Sequence, residues 1–124
     1  MTALVQTEHA QQTALFMWAS QNFERWPELR LMFAIPSGGL RNKIVATNLK
    51  AEGVRRGIPD IFLPVARGSW HGLFVEMKKQ GGYATPEQKE MIDLLRAQGY
   101  GAVICVGFEM ARDTLITYLN WSST

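Results

Sequence analysis

Apolar and polar positions along the chain switch repeatedly between helical and extended spacing. Near the N-terminus Glu8, Gln11 or Gln12, Leu15 and Trp18 fall on one face at helical spacing, and Thr7 stands where a capping hydroxyl belongs. Thr7 to about Asn22 therefore reads as a helix, with Glu8 in the first turn, where the helix dipole favours an anion. The run "LRLMFAI" predicts a strand, ended by the turn residues Pro36, Ser37, Gly38 and Gly39. "NKIVATNLKAE" predicts a second helix with Gly53 as its stop signal. Two strands follow within Gly57 to Gln80, joined by "ARGSWHG" as a hairpin loop. "TPEQKEMIDLLRAQG" is the clearest helix: Thr85 caps it, Pro86 opens it, Gln88 completes a capping box and Gly99 ends it. "AVICV" reads as a buried strand, and "FEMARDTLITYL" as a closing helix with Ala111, Leu115 and Leu119 along one stripe. The order α-β-α-β-β-α-β-α predicts an α/β fold, a mixed β-sheet flanked by helices on both faces.

Composition narrows the class. A length of 124 residues suits one hydrophobic core, so residues 1–124 read as a single domain. With 47% hydrophobic and 19% charged residues the chain is globular rather than disordered. A net charge of +2 permits nucleic-acid binding without arguing for it, because a basic footprint depends on clustering. One cysteine, Cys105, excludes an internal disulfide and a cysteine-rich zinc site, and His9 and His71 add little zinc-binding capacity. No apolar run approaches the ~20 residues that span a membrane. The start lacks a basic segment followed by an apolar one, so a reducing cytoplasmic setting is expected.

Charge appears where a buried strand would not want it. Residues two apart on a strand share a face, so Glu76 and Lys78 project together with Phe74 behind them, while Leu73, Val75 and Met77 point the other way. Hairpin pairing would bring Asp60 near Glu76. Two carboxylates held close repel unless something positive lies between them, and hard cations such as Mg²⁺ favour carboxylate and backbone oxygens. The lysine would then stand beside the reactive water. A lone carboxylate–lysine pair is ordinarily an ion pair at a sheet edge. Three features argue otherwise here: the Gly57-Ile58-Pro59 turn before Asp60, the apolar remainder of the second strand, and the order of acid and lysine after a hairpin-length gap.

Asp60 after Pro59, then Glu76-Met77-Lys78, resembles the catalytic core of the PD-(D/E)XK nucleases. More narrowly, "VRRGIPDIFLP…GLFVEMKKQGGYATPEQKEMIDLLRAQGYGAVIC" is similar to the virus-type replication-repair nuclease (VRR-NUC) domain, with Glu8 matching the glutamate of that family's first helix. The resemblance covers essentially the whole chain. It implies a restriction-endonuclease-like fold and Mg²⁺- or Mn²⁺-dependent hydrolysis of DNA phosphodiesters. It further implies that Asp60, Glu76 and the Met77 carbonyl bind metal, that Lys78 handles the attacking water, and that Glu8 reaches in toward a second metal through water. Gln88 would point toward Lys78 or a phosphate. Stand-alone members resemble junction-resolving nucleases, which implies branched DNA such as four-way (Holliday) junctions as substrate, a homodimer, and a bacterial or phage-infected host. Cleavage of flaps, ends or duplex, or a non-catalytic DNA-binding module on the same fold, are the competing readings.

Weaker signals surround this core. "PSGGLRNK", with Arg41 and Lys43, suits either a phosphate-binding loop or a plain turn. Arg55, Arg56, Arg67 and Lys79 could form the positive rim that an acidic site needs to receive DNA, or a solvated charged face. Gln88 has a second reading as an ordinary capping-box residue, and Glu8 as a first-turn dipole residue. Trp26, Trp70 and Trp121 suit either an interface or the core.

Overall fold

The computed structural model of the chain describes residues 6–36 and 43–122. Helix α1 spans Glu8–Ser20, and Thr7 caps it: the hydroxyl accepts from the Ala10 N–H at 3.0 Å. After Pro27 the chain turns as a 3-10 helix, Pro27–Leu31, before strand β1, Phe33–Ala34. The strand expected over "LRLMFAI" thus shrinks to two residues. Pro27 pre-sets the first turn, and Leu29 and Met32, three apart, are buried together, which a 3-10 turn allows and an extended strand does not. Helix α2 (Lys43–Ala51) follows, and Gly53 beyond it takes a left-handed φ of 102°.

Strands β2 (Ile61–Leu63) and β3 (Leu73–Lys78) form the expected hairpin. Helix α3 is Pro86–Ala97, strand β4 Gly101–Val106 and helix α4 Phe108–Leu119. The sheet order is β1-β2-β3-β4, antiparallel except for the parallel β3–β4 pair. The βαβ crossover through α3 requires that parallel pairing. Strand β4 stands at the edge of the sheet among the described residues, with Ala102 and Cys105 buried, as its apolar pattern predicts, and Val106 exposed at its end.

One sheet face carries the main core. Ile61, Leu63, Leu73, Val75, Met77 and Cys105 pack against Leu15 and Ala19 of α1 and the Ala111, Leu115 and Leu119 stripe of α4. Burying each of the larger aliphatic side chains contributes about 2 kcal/mol. The opposite face carries a cross-strand row: Phe33 stands edge-on to Phe62, Phe62 stacks on Phe74 at 4.2 Å, and Tyr100 closes the row. Asp60, Glu76 and Lys78 share that second face by the two-residue alternation of strands. No helix among the described residues is long and apolar enough to cross a membrane.

Candidate active site

The hairpin register sets the site. Ile61 pairs with Val75, so one step outward Asp60 lies opposite Glu76. The Gly101 N–H donates to the Gly72 carbonyl and the Gly107 N–H to the Lys78 carbonyl, so the even-numbered backbone groups of β3 face β4. Those of Val75 and Met77 therefore face β2, and Asp60 and Glu76 form a non-hydrogen-bonded cross-strand pair, the kind in which side chains approach most closely.

Opposite Met77 the same register places Pro59, which is fully buried. Proline has no N–H, so it leaves the Met77 carbonyl without a ladder donor. The Met77 N–H is taken instead by the Asp60 carboxylate: it donates to Oδ2 at 2.7 Å. Pro59 thus ends the ladder where Asp60 turns inward. Two residues earlier Gly57 has a φ of +81°, and a Cβ there would lie 2.7 Å from the Glu87 carbonyl oxygen. The missing side chain lets the first turn of α3 close against this segment.

That approach delivers Gln88. Its Nε2 donates to Glu76 Oε2 at 3.2 Å, while its Oε1 accepts from the Thr85 N–H at 2.9 Å as half of the capping box. Gln88 was expected to face Lys78 or a phosphate; its partner is the carboxylate of Glu76, because one amide must serve the helix cap through oxygen and has only its nitrogen left to offer the site. Lys78 Nζ lies 3.6 Å from the same Oε2.

Glu76 is 2% exposed, and its other oxygen, Oε1, is buried with no hydrogen-bond partner. Burial, and then the Asp60 carboxyl beside it, push the Glu76 carboxyl from 4.5 up to about 8, against the opposing pull of Lys78. Burial beside a second carboxyl thus favours the protonated form of Glu76.

The donor set fits a hard divalent cation. Asp60, the free Glu76 Oε1 and the Met77 carbonyl are all oxygens, the ligands that Mg²⁺ and Mn²⁺ prefer. Among the described residues no three His, Cys, Asp or Glu side chains converge, so a third protein ligand here would be a backbone carbonyl. Glu8 lies at the exposed start of α1 and lines the same cleft, without joining the carboxylate pair in one cluster.

The cleft around the pair has a volume of about 1070 Å³, and Arg55 and Arg56 stand exposed along it. Lys79 is exposed immediately after the site lysine. Arg41 lies outside the described residues, and Lys43 opens α2. Arg67 does not belong to the rim: its guanidinium pairs with Glu28 Oε2 at 2.6 Å and donates to the Leu119 and Ala66 carbonyls, tying the hairpin loop to α4. His71 packs its ring against Tyr100. Trp26 leans on Trp18 in the core, and Trp121 is 47% exposed. Lys50, not picked out from sequence, also lines the cleft; it lies in the last turn of α2, five residues before Arg55.

A four-strand mixed sheet flanked by helices, with an acid pair and a lysine on its functional face, defines a restriction-endonuclease-like fold. The chain matches the model of the VRR-NUC domain over residues 3–109, and it belongs to that family, a nuclease-type domain. A solved structure described as a VRR_NUC domain protein superposes with a TM-score of 0.81 at 33% sequence identity, covering 98% of this chain and 93% of that chain. No curated protein matches this chain.

Proposed function

We propose that residues 1–124 act as one metal-dependent DNA endonuclease domain that hydrolyses phosphodiesters in branched DNA, four-way junctions included. The observation that carries this reading is the buried, unpartnered oxygen of Glu76 opposite Asp60, two residues from a lysine on the same face. Asp60, Glu76 and the Met77 carbonyl would hold Mg²⁺ or Mn²⁺. When bound, the cation supplies Lewis-acid polarisation of the scissile phosphate. Lys78 orients the attacking water through Nζ and offsets charge developing on the phosphate oxygens. Gln88 fixes the rotamer of Glu76 through its amide hydrogen bond. Arg55, Arg56 and Lys79, with Lys50, bind flanking phosphates, and this affinity weakens with salt. Glu8 lines the same cleft from the start of α1.

A four-way junction has two symmetric strands to cut, and one chain presents one such carboxylate pair, so two copies would act together. An apolar groove of about 920 Å³ beside the β4 edge suits that pairing, with Val106, Met110 and Trp121 exposed along it. Arg96 on its α3 side and Glu109 on its α4 side give it opposite charges that a two-fold axis would set against each other. The test of function is a panel of end-labelled four-way junction, flap, duplex and single strand, with Mg²⁺, Mn²⁺ or EDTA. Junction cleavage that needs the metal is expected; undiminished cleavage in excess EDTA, or none on any substrate, would contradict the proposal.

A further inference from the structure

The loop between β3 and α3 is held close against the site lysine. The Gly82 N–H donates to the Lys79 carbonyl at 2.8 Å, and a Cβ on Gly82 would lie 3.6 Å from the Cβ of Lys78. Ala84 is buried, and Thr85 begins the capping box of α3 while lining the cleft. Between these anchored neighbours stands Tyr83, 83% exposed. The next most exposed aromatics, Phe33 and Trp121, are at 48% and 47%, and Phe33 has an aromatic partner in Phe62. Among the described residues Tyr83 makes no hydrogen bond and no ring contact. A large ring fixed at the base and free on both faces contributes nothing to the core. Its loop is the one that carries Lys79 and leads from Lys78 to Gln88.

We infer that Tyr83 is a base-stacking residue at the rim of the cleft, taking the open face of a nucleobase beside the scissile phosphodiester. This rests on the nuclease reading above and adds the feature of the DNA that is read. In continuous duplex both faces of every base are already stacked. A face becomes available only where the stack is interrupted, at a branch, a flap or a frayed end, and an aromatic side chain can complete it without regard to sequence. The chain then favours cleavage next to a break in the base stack over cleavage within unbroken duplex, and the discrimination comes from one ring rather than from base-edge hydrogen bonds.

The experiment compares wild type with Tyr83→Ala, Tyr83→Phe and Tyr83→Trp. One readout is cleavage of a splayed-arm duplex and a continuous duplex of the same sequence with Mn²⁺. The second is binding in EDTA of a splayed arm carrying 2-aminopurine beside the branch, read as fluorescence quenching. Tyr83→Ala should lose roughly 5- to 100-fold in kcat/KM on the splayed arm. Its duplex rate and melting temperature should stay unchanged, and quenching should disappear. The Phe and Trp variants should behave as wild type, since the ring and not the hydroxyl is used. Equal substrate preference and equal quenching in Tyr83→Ala would overturn the inference, as would loss in Tyr83→Phe equal to that in Tyr83→Ala. Ring-dependent quenching by a wild type that cuts nothing would sink the nuclease reading while leaving the stacking site standing. Metal-dependent cleavage indifferent to Tyr83 would do the reverse.

Discussion

Gln88 and Glu76 are joined by a hydrogen bond of 3.2 Å from the amide nitrogen of one to the carboxylate of the other, and the same amide oxygen caps α3 at the Thr85 N–H. Helix stability and site geometry therefore share one side chain. Replacing Gln88 with Ala should cost about 1 kcal/mol through the lost hydrogen bond to the Thr85 N–H, and cleavage should fall as well. Gln88→Glu keeps the capping-box acceptor but exchanges the donor to Glu76 for a carboxylate oxygen facing a buried carboxyl. Its melting temperature in chelator should fall at least as far as that of Gln88→Ala, and more steeply as pH rises, while its cleavage rate falls at least as far. Thermal scans paired with single-turnover rates check this; full activity in Gln88→Glu would contradict it.

Glu76 makes the stability of the cation-free protein depend on pH with an unusual sign. Its carboxyl is raised from 4.5 to about 8 on folding, so between those values the folded chain keeps a proton that the unfolded chain has released. The stabilisation is complete below about 4.5 and is lost as pH rises toward 8. Urea midpoints in chelator should accordingly fall from about pH 5 to about pH 8, and Glu76→Gln should flatten that slope. A decline of the same size in wild type and Glu76→Gln would show that the titrating group is elsewhere.

Lys78 is 7% exposed and is the one cation within ion-pair distance of Glu76 among the described residues. Lys78→Ala should lower cleavage by about 100- to 1000-fold, the cost of removing one preorganised donor. Folding and most DNA binding should survive. Lys78→Arg should not rescue, because the guanidinium is larger, planar and differently hydrated. Single-turnover cleavage beside a binding isotherm distinguishes loss of chemistry from loss of affinity.

Pairing of two chains through the groove beside β4 predicts a solution mass near twice 14.0 kDa. Met110, 49% exposed there, is the place to break it. Met110→Glu should give a monomer by light scattering and should reduce paired cutting of a four-way junction more than cutting of a flap. A monomeric wild type that cuts junctions fully would contradict the pairing.

Much of this was legible in the sequence because its signals are local. Thr7, Thr85, Pro86, Gln88 and Gly99 mark helix ends through their own backbone chemistry, and α1 and α3 fall where those residues put them. The facing of Asp60 and Glu76 followed from period-two alternation across a hairpin. What was not legible depends on partners distant in the chain. "LRLMFAI" carries enough apolar residues for a strand, and only Pro27 and the joint burial of Leu29 and Met32 turn its first three residues into the end of a 3-10 helix. The edge position of β4 depends on strand order, which its apolar pattern does not encode. The engagement of Arg67 with Glu28, 39 residues away, removed it from the basic rim. The part played by Pro59 needed the register, since only opposite Met77 does its missing N–H matter.

The central claim is that the Asp60–Glu76 pair exists to hold a divalent cation, and thermal scans of wild type and Asp60→Asn, with EDTA and with Mn²⁺, test it most directly. Asn keeps the shape and one oxygen to accept from the Met77 N–H, now 2.7 Å from Asp60 Oδ2, while removing a charge that faces Glu76. In EDTA the variant should melt at or above the wild-type temperature. Added Mn²⁺ should raise the wild-type midpoint and leave the variant nearly unmoved, because a ligand stabilises the folded state it binds. An Asp60→Asn protein that melts lower than wild type in EDTA, beside a wild type that Mn²⁺ does not stabilise, would contradict the account.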